Sequence, residues 1–195
     1  NKKITSEVCI PHLLFSSSDY ENLGSLIKCN PSIKANSDKT ALRQALKKGV
    51  IDYVATDHAP HILSEKEKNY LNSPSGMPSV QHSFLAVLEM VHDGDLEITD
   101  VPKITSHNVA KRFEIKDRGF INEGFWADLV LVNMNDSYEV KKEKIFYKCG
   151  WSPFESYTFK SRIVETIING ERVCSQGKIL SDKIGQKLEF SRGYK

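Results

Sequence analysis

The apolar run Val50-Ile51-Asp52-Tyr53-Val54-Ala55 stops abruptly at Thr56-Asp57-His58-Ala59-Pro60-His61, and this junction constrains the fold more than any other feature. A short apolar run bounded by a breaker reads as a strand buried in a parallel sheet. An acid and two histidines directly after it put titratable groups at the strand's C-terminal end. A (β/α)8 barrel builds its active site there, from the loops that follow each strand. Pro60 holds Ala59 out of the α region. Asp57 and His61 therefore do not share a helical face, but sit on the strand end and the loop leaving it.

The surrounding pattern alternates. Ile4 to Cys9 reads as a strand closed by Pro11. Asp19 to Ile27 reads as a short helix or turn weakened by Gly24, and Asn30-Pro31-Ser32 as a loop. Leu42, Ala45 and Leu46 recur at helical spacing, with Asp38 as N-cap and Lys48-Gly49 as the stop. With the strand Val50 to Ala55 behind it, this order of strand, loop, helix, strand is that of an α/β fold. Residues 64–79 are charged, then rich in Pro, Ser and Gly, as in a long active-site loop. Val80 to His92 is expected to be helical, with Val80, Phe84, Val87, Leu88 and Val91 on one face. Thr105 to Phe113 is expected to form a further helix. From Gly119 the texture becomes that of strands, and Asn169-Gly170 between apolar runs is a two-residue hairpin signal. Residues 1–118 are thus expected to be barrel and 119–195 a β-rich tail.

Composition narrows the classes. A whole (β/α)8 barrel needs ~250 residues, whereas this chain has 195, so it reads as the last barrel units of a longer enzyme. The net charge of +2, with both signs well mixed, offers no footprint for nucleic acid or a membrane surface. Apolar runs fall far short of the ~20 residues of a membrane span. Cys9, Cys29, Cys149 and Cys174 form no C-x-x-C pair and are expected to be reduced thiols of a cytoplasmic protein.

Thr56-Asp57-His58-Ala59-Pro60-His61, followed by Glu65-Lys66-Glu67, resembles the late-barrel signature of the dihydroorotases, cyclic-amide hydrolases of the amidohydrolase superfamily. The resemblance runs over most of the chain. Ser6-Glu7-Val8-Cys9-Ile10-Pro11-His12-Leu13-Leu14 is similar to an earlier strand and loop. Lys28-Cys29-Asn30-Pro31 is similar to a substrate loop, and Ser75-Gly76-Met77-Pro78-Ser79 to the loop after the signature. Asn108-Val109-Ala110-Lys111, Gly119-Phe120-Ile121, Gly124 and Ala127-Asp128-Leu129-Val130 are similar to the superfamily's tail. The chain departs from the pattern at Pro11-His12, where a histidine pair is common, and at Pro31-Ser32-Ile33-Lys34, where Pro-Pro-Leu-Arg is common.

The resemblance implies a reversible conversion between L-dihydroorotate and N-carbamoyl-L-aspartate in pyrimidine biosynthesis, at a site with two Zn2+ ions. It implies that Asp57 is both metal ligand and proton carrier. Asn30, His61 and the backbone near Gly76 would bind substrate. The paired histidines, bridging lysine and further histidine ligands of the family have no counterpart in these 195 residues. Taken alone, an aspartate at a strand end is a turn cap, Asn-Pro a common turn and Ser-Gly an ordinary bend. Adjacent residues on an extended segment face opposite ways, so His58 is expected to orient a neighbour. Glu7, His12, His82, His92 and His107 are read as structural. The resemblance further implies a C-terminal tail contributing to a composite β-sandwich, and a homo-oligomer. The alternatives are an allantoinase or hydantoinase, and a catalytically silent scaffold for a partner such as aspartate transcarbamoylase.

Overall fold

The structure is a computed structural model that describes residues 4–181 and 185–191. Strand β1 (Glu7–Cys9) runs directly into helix α1 (Ile10–Leu14). Pro11 does not close the strand, as its sequence suggested. It occupies the first helical turn, where its missing N–H is not needed. Helix α2 (Tyr20–Leu23) lies between two 3-10 turns, Ser17–Asp19 and Gly24–Ile27.

Helix α3 (Asn36–Lys47) begins after Ala35, so Asp38 is not its N-cap; Asp38 lies in the first turn, where its charge still complements the helix dipole. At the other end Gly49 has φ +68°. Its N–H bonds to the Leu46 carbonyl, and that of Val50 bonds to Ala45. This double closure is a Schellman cap, which needs a left-handed residue at the glycine position. The cap also takes Val50 and Ile51 out of the expected strand, since both N–H groups bond to the Ala45 carbonyl.

Strand β2 is therefore only Tyr53–Ala55, and pairs in parallel with β1 in the register Glu7 to Tyr53 and Cys9 to Ala55. The expected β-α-β order is realised, with α3 as the crossover. Helix α4 (Leu63–Lys66) interrupts the long loop, and α5 (Ser83–His92) follows it. A π turn at Lys103–His107 leads into α6 (Asn108–Phe113).

Beyond Gly119 the described residues form the strands β3 (Leu129–Asn133), β4 (Tyr138–Glu139), β5 (Thr158–Phe159), β6 (Arg162–Ile168), β7 (Glu171–Ser175) and β8 (Lys178–Ile179), with a 3-10 turn at Lys142–Lys144. One antiparallel sheet has the order β3-β6-β7-β8, while β4 and β5 form a separate antiparallel pair. Asn169 (φ +54°) and Gly170 (φ +84°) turn β6 into β7; two successive positive φ values match the strand twist of a tight hairpin.

Helix α5 carries the core. Its sequence suggested a single apolar face including Val80, yet Val80 precedes the helix and is exposed, whereas Leu85, Ala86, Val87, Leu88, Glu89 and Met90 are all buried. The helix is covered on several sides because Val140, Phe154 and Phe159 pack into the same core as Val8, Ile10, Leu13 and Leu88. Residues from both sides of position 118 thus share one core. Glu89 is buried there, and its carboxylate accepts the Lys160 N–H at 2.6 Å. A smaller cluster of Ile27, Cys29, Ile33, Met77 and Trp151 lies among the loops that leave β1 and β2.

Candidate active site

Asp57 follows the C-terminal end of β2, is exposed, and has φ +47°. Aspartate is among the few non-glycine residues that tolerate the left-handed region. Its carboxylate lies close enough to the thiols of Cys9 and Cys29 to matter to both. Burial first, then Asp57, pushes each thiol pKa up to about 11. Cys29, which feels the Asp57 charge, directly precedes Asn30, so the Asn30 loop lies beside the end of β2; the Asn30–Pro31 peptide is cis. The His12 ring spans the same gap, with Nε2 donating to the Pro31 carbonyl at 2.8 Å.

The loop leaving Asp57 is stitched to residues 75–80. His58 pairs with Met77 as an isolated parallel bridge, and the Ala59 N–H bonds to the Met77 carbonyl at 3.2 Å. His58 Nδ1 accepts the Ser79 N–H at 3.0 Å, and the Ser79 hydroxyl donates to the Thr56 carbonyl at 2.7 Å. These contacts make His58 an anchor for the neighbouring loop.

His61 is half-buried. Its Nε2 meets the Ser75 carbonyl at 3.1 Å and its Nδ1 lies 3.4 Å from the Glu65 carboxylate. Gly76 sits against it: a Cβ there would meet His61 Cδ2 at 3.4 Å and the Ala59 carbonyl oxygen at 2.8 Å. With φ +120°, this position accepts essentially only glycine. The Gly76 N–H bonds to the Lys28 carbonyl at 2.8 Å. The four residues singled out from sequence, Asp57, Asn30, His61 and Gly76, are therefore on one continuous set of touching loops.

Two contributors were missed. Lys66 has no exposed surface, and its ammonium donates to the carbonyls of Gly76 (2.7 Å), Pro74 (2.9 Å) and Lys28 (3.3 Å). Burial, then the ammonium of Lys28, draws its pKa down to about 8. In sequence it is one of four alternating charges, Glu65-Lys66-Glu67-Lys68; its helical spacing to Leu63 is the only hint that it faces inward. Trp151 comes from far along the chain, and its indole N–H donates to the His61 carbonyl at 2.8 Å. No local pattern announces such a contact.

Among the described residues no three His, Cys, Asp or Glu side chains converge to hold a metal ion. Asp57 is an exposed oxygen donor of the kind zinc accepts. A zinc site takes three or four protein ligands, of which Asp57 could supply one. No helix of the described residues is long and apolar enough to cross a membrane.

The chain is similar to several known proteins. The dihydroorotase of Pyrococcus abyssi is 31% identical over 185 residues, covering 95% of this chain and 44% of that protein. That of Halobacterium salinarum is 37% identical over 153 residues, covering 78% and 36%. The chain thus spans less than half the length of these curated relatives. In fold it is similar to the L-hydantoinase (dihydropyrimidinase) from Arthrobacter aurescens, with a TM-score of 0.85 at 23% identity over 91% of this chain and 41% of that one. The D-hydantoinase (dihydropyrimidinase) from Thermus sp. gives a TM-score of 0.82 at 23% identity over 92% and 41%. These likenesses establish a TIM-barrel type of fold. The model of the amidohydrolase family matches residues 3–173, and to that family the chain belongs.

Proposed function

We propose that the protein is a dihydroorotase, which interconverts L-dihydroorotate and N-carbamoyl-L-aspartate. The observation that carries this reading is the gathering of the Asn30, His61 and Gly76 loops beside Asp57, in a chain similar to proteins named dihydroorotase. Asp57 would be one ligand of Zn2+, which when bound lowers the pKa of water and polarises a carbonyl. In the hydrolytic direction water adds to the ring amide carbonyl and the carbon–nitrogen bond breaks. The Asp57 carboxylate takes a proton from the water and hands it to the departing nitrogen, so the carboxylate is regenerated. The Asn30 amide both donates and accepts, which suits the ring of a cyclic diamide. Both His61 nitrogens already face oxygen acceptors. A substrate carboxylate would therefore take the place of Glu65 at Nδ1. Gly76 is itself buried, with its N–H bonded to Lys28 and its carbonyl to Lys66, so the backbone beside it, rather than Gly76's own groups, would meet the substrate.

In this reading residues 1–118 belong to the barrel and 119–195 to a tail that contributes strands to a composite sandwich. The protein is cytoplasmic and self-associates, and a silent form would instead scaffold an aspartate transcarbamoylase. The test is L-dihydroorotate hydrolysis by the full-length protein with zinc, alongside hydantoin and allantoin. Asp57→Ala is expected to abolish turnover. Near-normal kcat in that variant, or preference for another cyclic amide, overturns the reading.

A further inference from the structure

Three side-chain donors leave one buried atom, Lys66 Nζ, and each ends on a backbone carbonyl from the loops that flank the candidate site. Lysine is almost never fully buried without compensation, and an ammonium offers three N–H donors and no acceptor. The three acceptors here use that capacity fully. The rest of the knot is built around it. The Gly76 N–H returns a bond to the Lys28 carbonyl, and Lys28 Nζ donates to the carbonyls of Tyr70 and Ser73 at 2.7 Å each. The Lys66 carbonyl in turn accepts the Ser25 hydroxyl. Asn30 lies two residues beyond Lys28, and His61 touches Gly76. A shift of either loop would move a group assigned above to substrate binding.

We propose that Lys66 is a positioning residue: its ammonium clamps the Lys28–Asn30 loop to the Pro74–Gly76 loop and so sets the distance between the substrate-binding groups they carry. This rests on the dihydroorotase reading for its substrate, but not for the clamp itself. Lys66 acts through the loops, and its effect falls on substrate binding rather than on proton transfer at Asp57. Charge-assisted donation to three carbonyls is stronger than neutral bonding, so an apolar stem of equal length does not replace it.

The experiment compares the full-length protein with Lys66→Met, which keeps the packing and removes the donors. Two readouts are taken: steady-state kinetics with L-dihydroorotate, and hydrogen exchange of peptides covering 28–31 and 74–77. KM is expected to rise by about tenfold or more with kcat little changed, and those two peptides to exchange faster while α3 and α5 stay protected. An unchanged KM with unchanged exchange overturns the proposal. Faster exchange everywhere also overturns it, because Lys66 would then serve general stability only. If the unaltered protein does not turn over L-dihydroorotate, the functional reading fails, and the clamp is still decided by the exchange pattern. Should Lys66→Met not fold, Lys66→Gln keeps two donors and is expected to give a smaller shift in the same two peptides.

Discussion

His82 offers a direct measure of how dry the core around α5 is. It precedes the helix, is 1% exposed, and is surrounded by the rings of Tyr138, Tyr147, Phe154 and Phe159. Its Nδ1 lies 3.3 Å from the Ser152 hydroxyl, while its Nε2 has no hydrogen-bond partner. Burial in this apolar cage disfavours the imidazolium and lowers the pKa from 6.5 to about 4. In the unfolded chain His82 takes up its proton near 6.5, whereas in the fold it stays neutral until about 4. The unfolded state thus binds more protons between these limits, so stability is fully present above 6.5 and falls as pH drops through the window. At 1.36 kcal/mol per unit, the loss from this one residue approaches about 3 kcal/mol at the lower limit. His82→Phe removes the titration and keeps the ring packing. Urea unfolding of parent and variant across the window should give curves that converge above 6.5 and separate steadily below it, with the variant less sensitive to acid. Parallel curves would refute the argument, and would mean that water or a polar group reaches the imidazole.

Two further substitutions probe the loops. Gly76→Ala places a Cβ 2.7 Å from that of Ala59, at a φ of +120°. It is expected to lower stability by about 1–3 kcal/mol and to reduce kcat/KM by shifting the loop against His61. Calorimetry with kinetics checks both, and an unaltered kcat/KM would remove Gly76 from the site. Trp151→Phe deletes the indole donor to the His61 carbonyl. It should cost roughly 1 kcal/mol and raise KM more than it lowers kcat. An unchanged KM would show that the main chain at His61 is held without it.

Several elements could be read locally because their causes are local. The abrupt end of the apolar run at Asp57, the hairpin at Asn169-Gly170 and the stop at Lys48-Gly49 each follow from the conformational preferences of a few adjacent residues. Other readings failed where neighbours competed for the same backbone. Val50 and Ile51 are apolar enough for a strand, but the cap of α3 claims their N–H groups first. Periodicity gave α5 one buried face, but the segment carrying Val140, Phe154 and Phe159 returns to cover more of it.

What the sequence by itself determined, then, is the α/β order, the placing of Asp57 just beyond a parallel strand, and the loops that bear Asn30, His61 and Gly76. Tertiary structure alone decided that Lys66, and not Lys68 two residues later, is the buried cation, and that Trp151 reaches His61 from 90 residues away. A charge in an alternating run has no intrinsic reason to be buried. It becomes so only when separate loops bring three carbonyls to one point and make desolvating the ammonium tolerable.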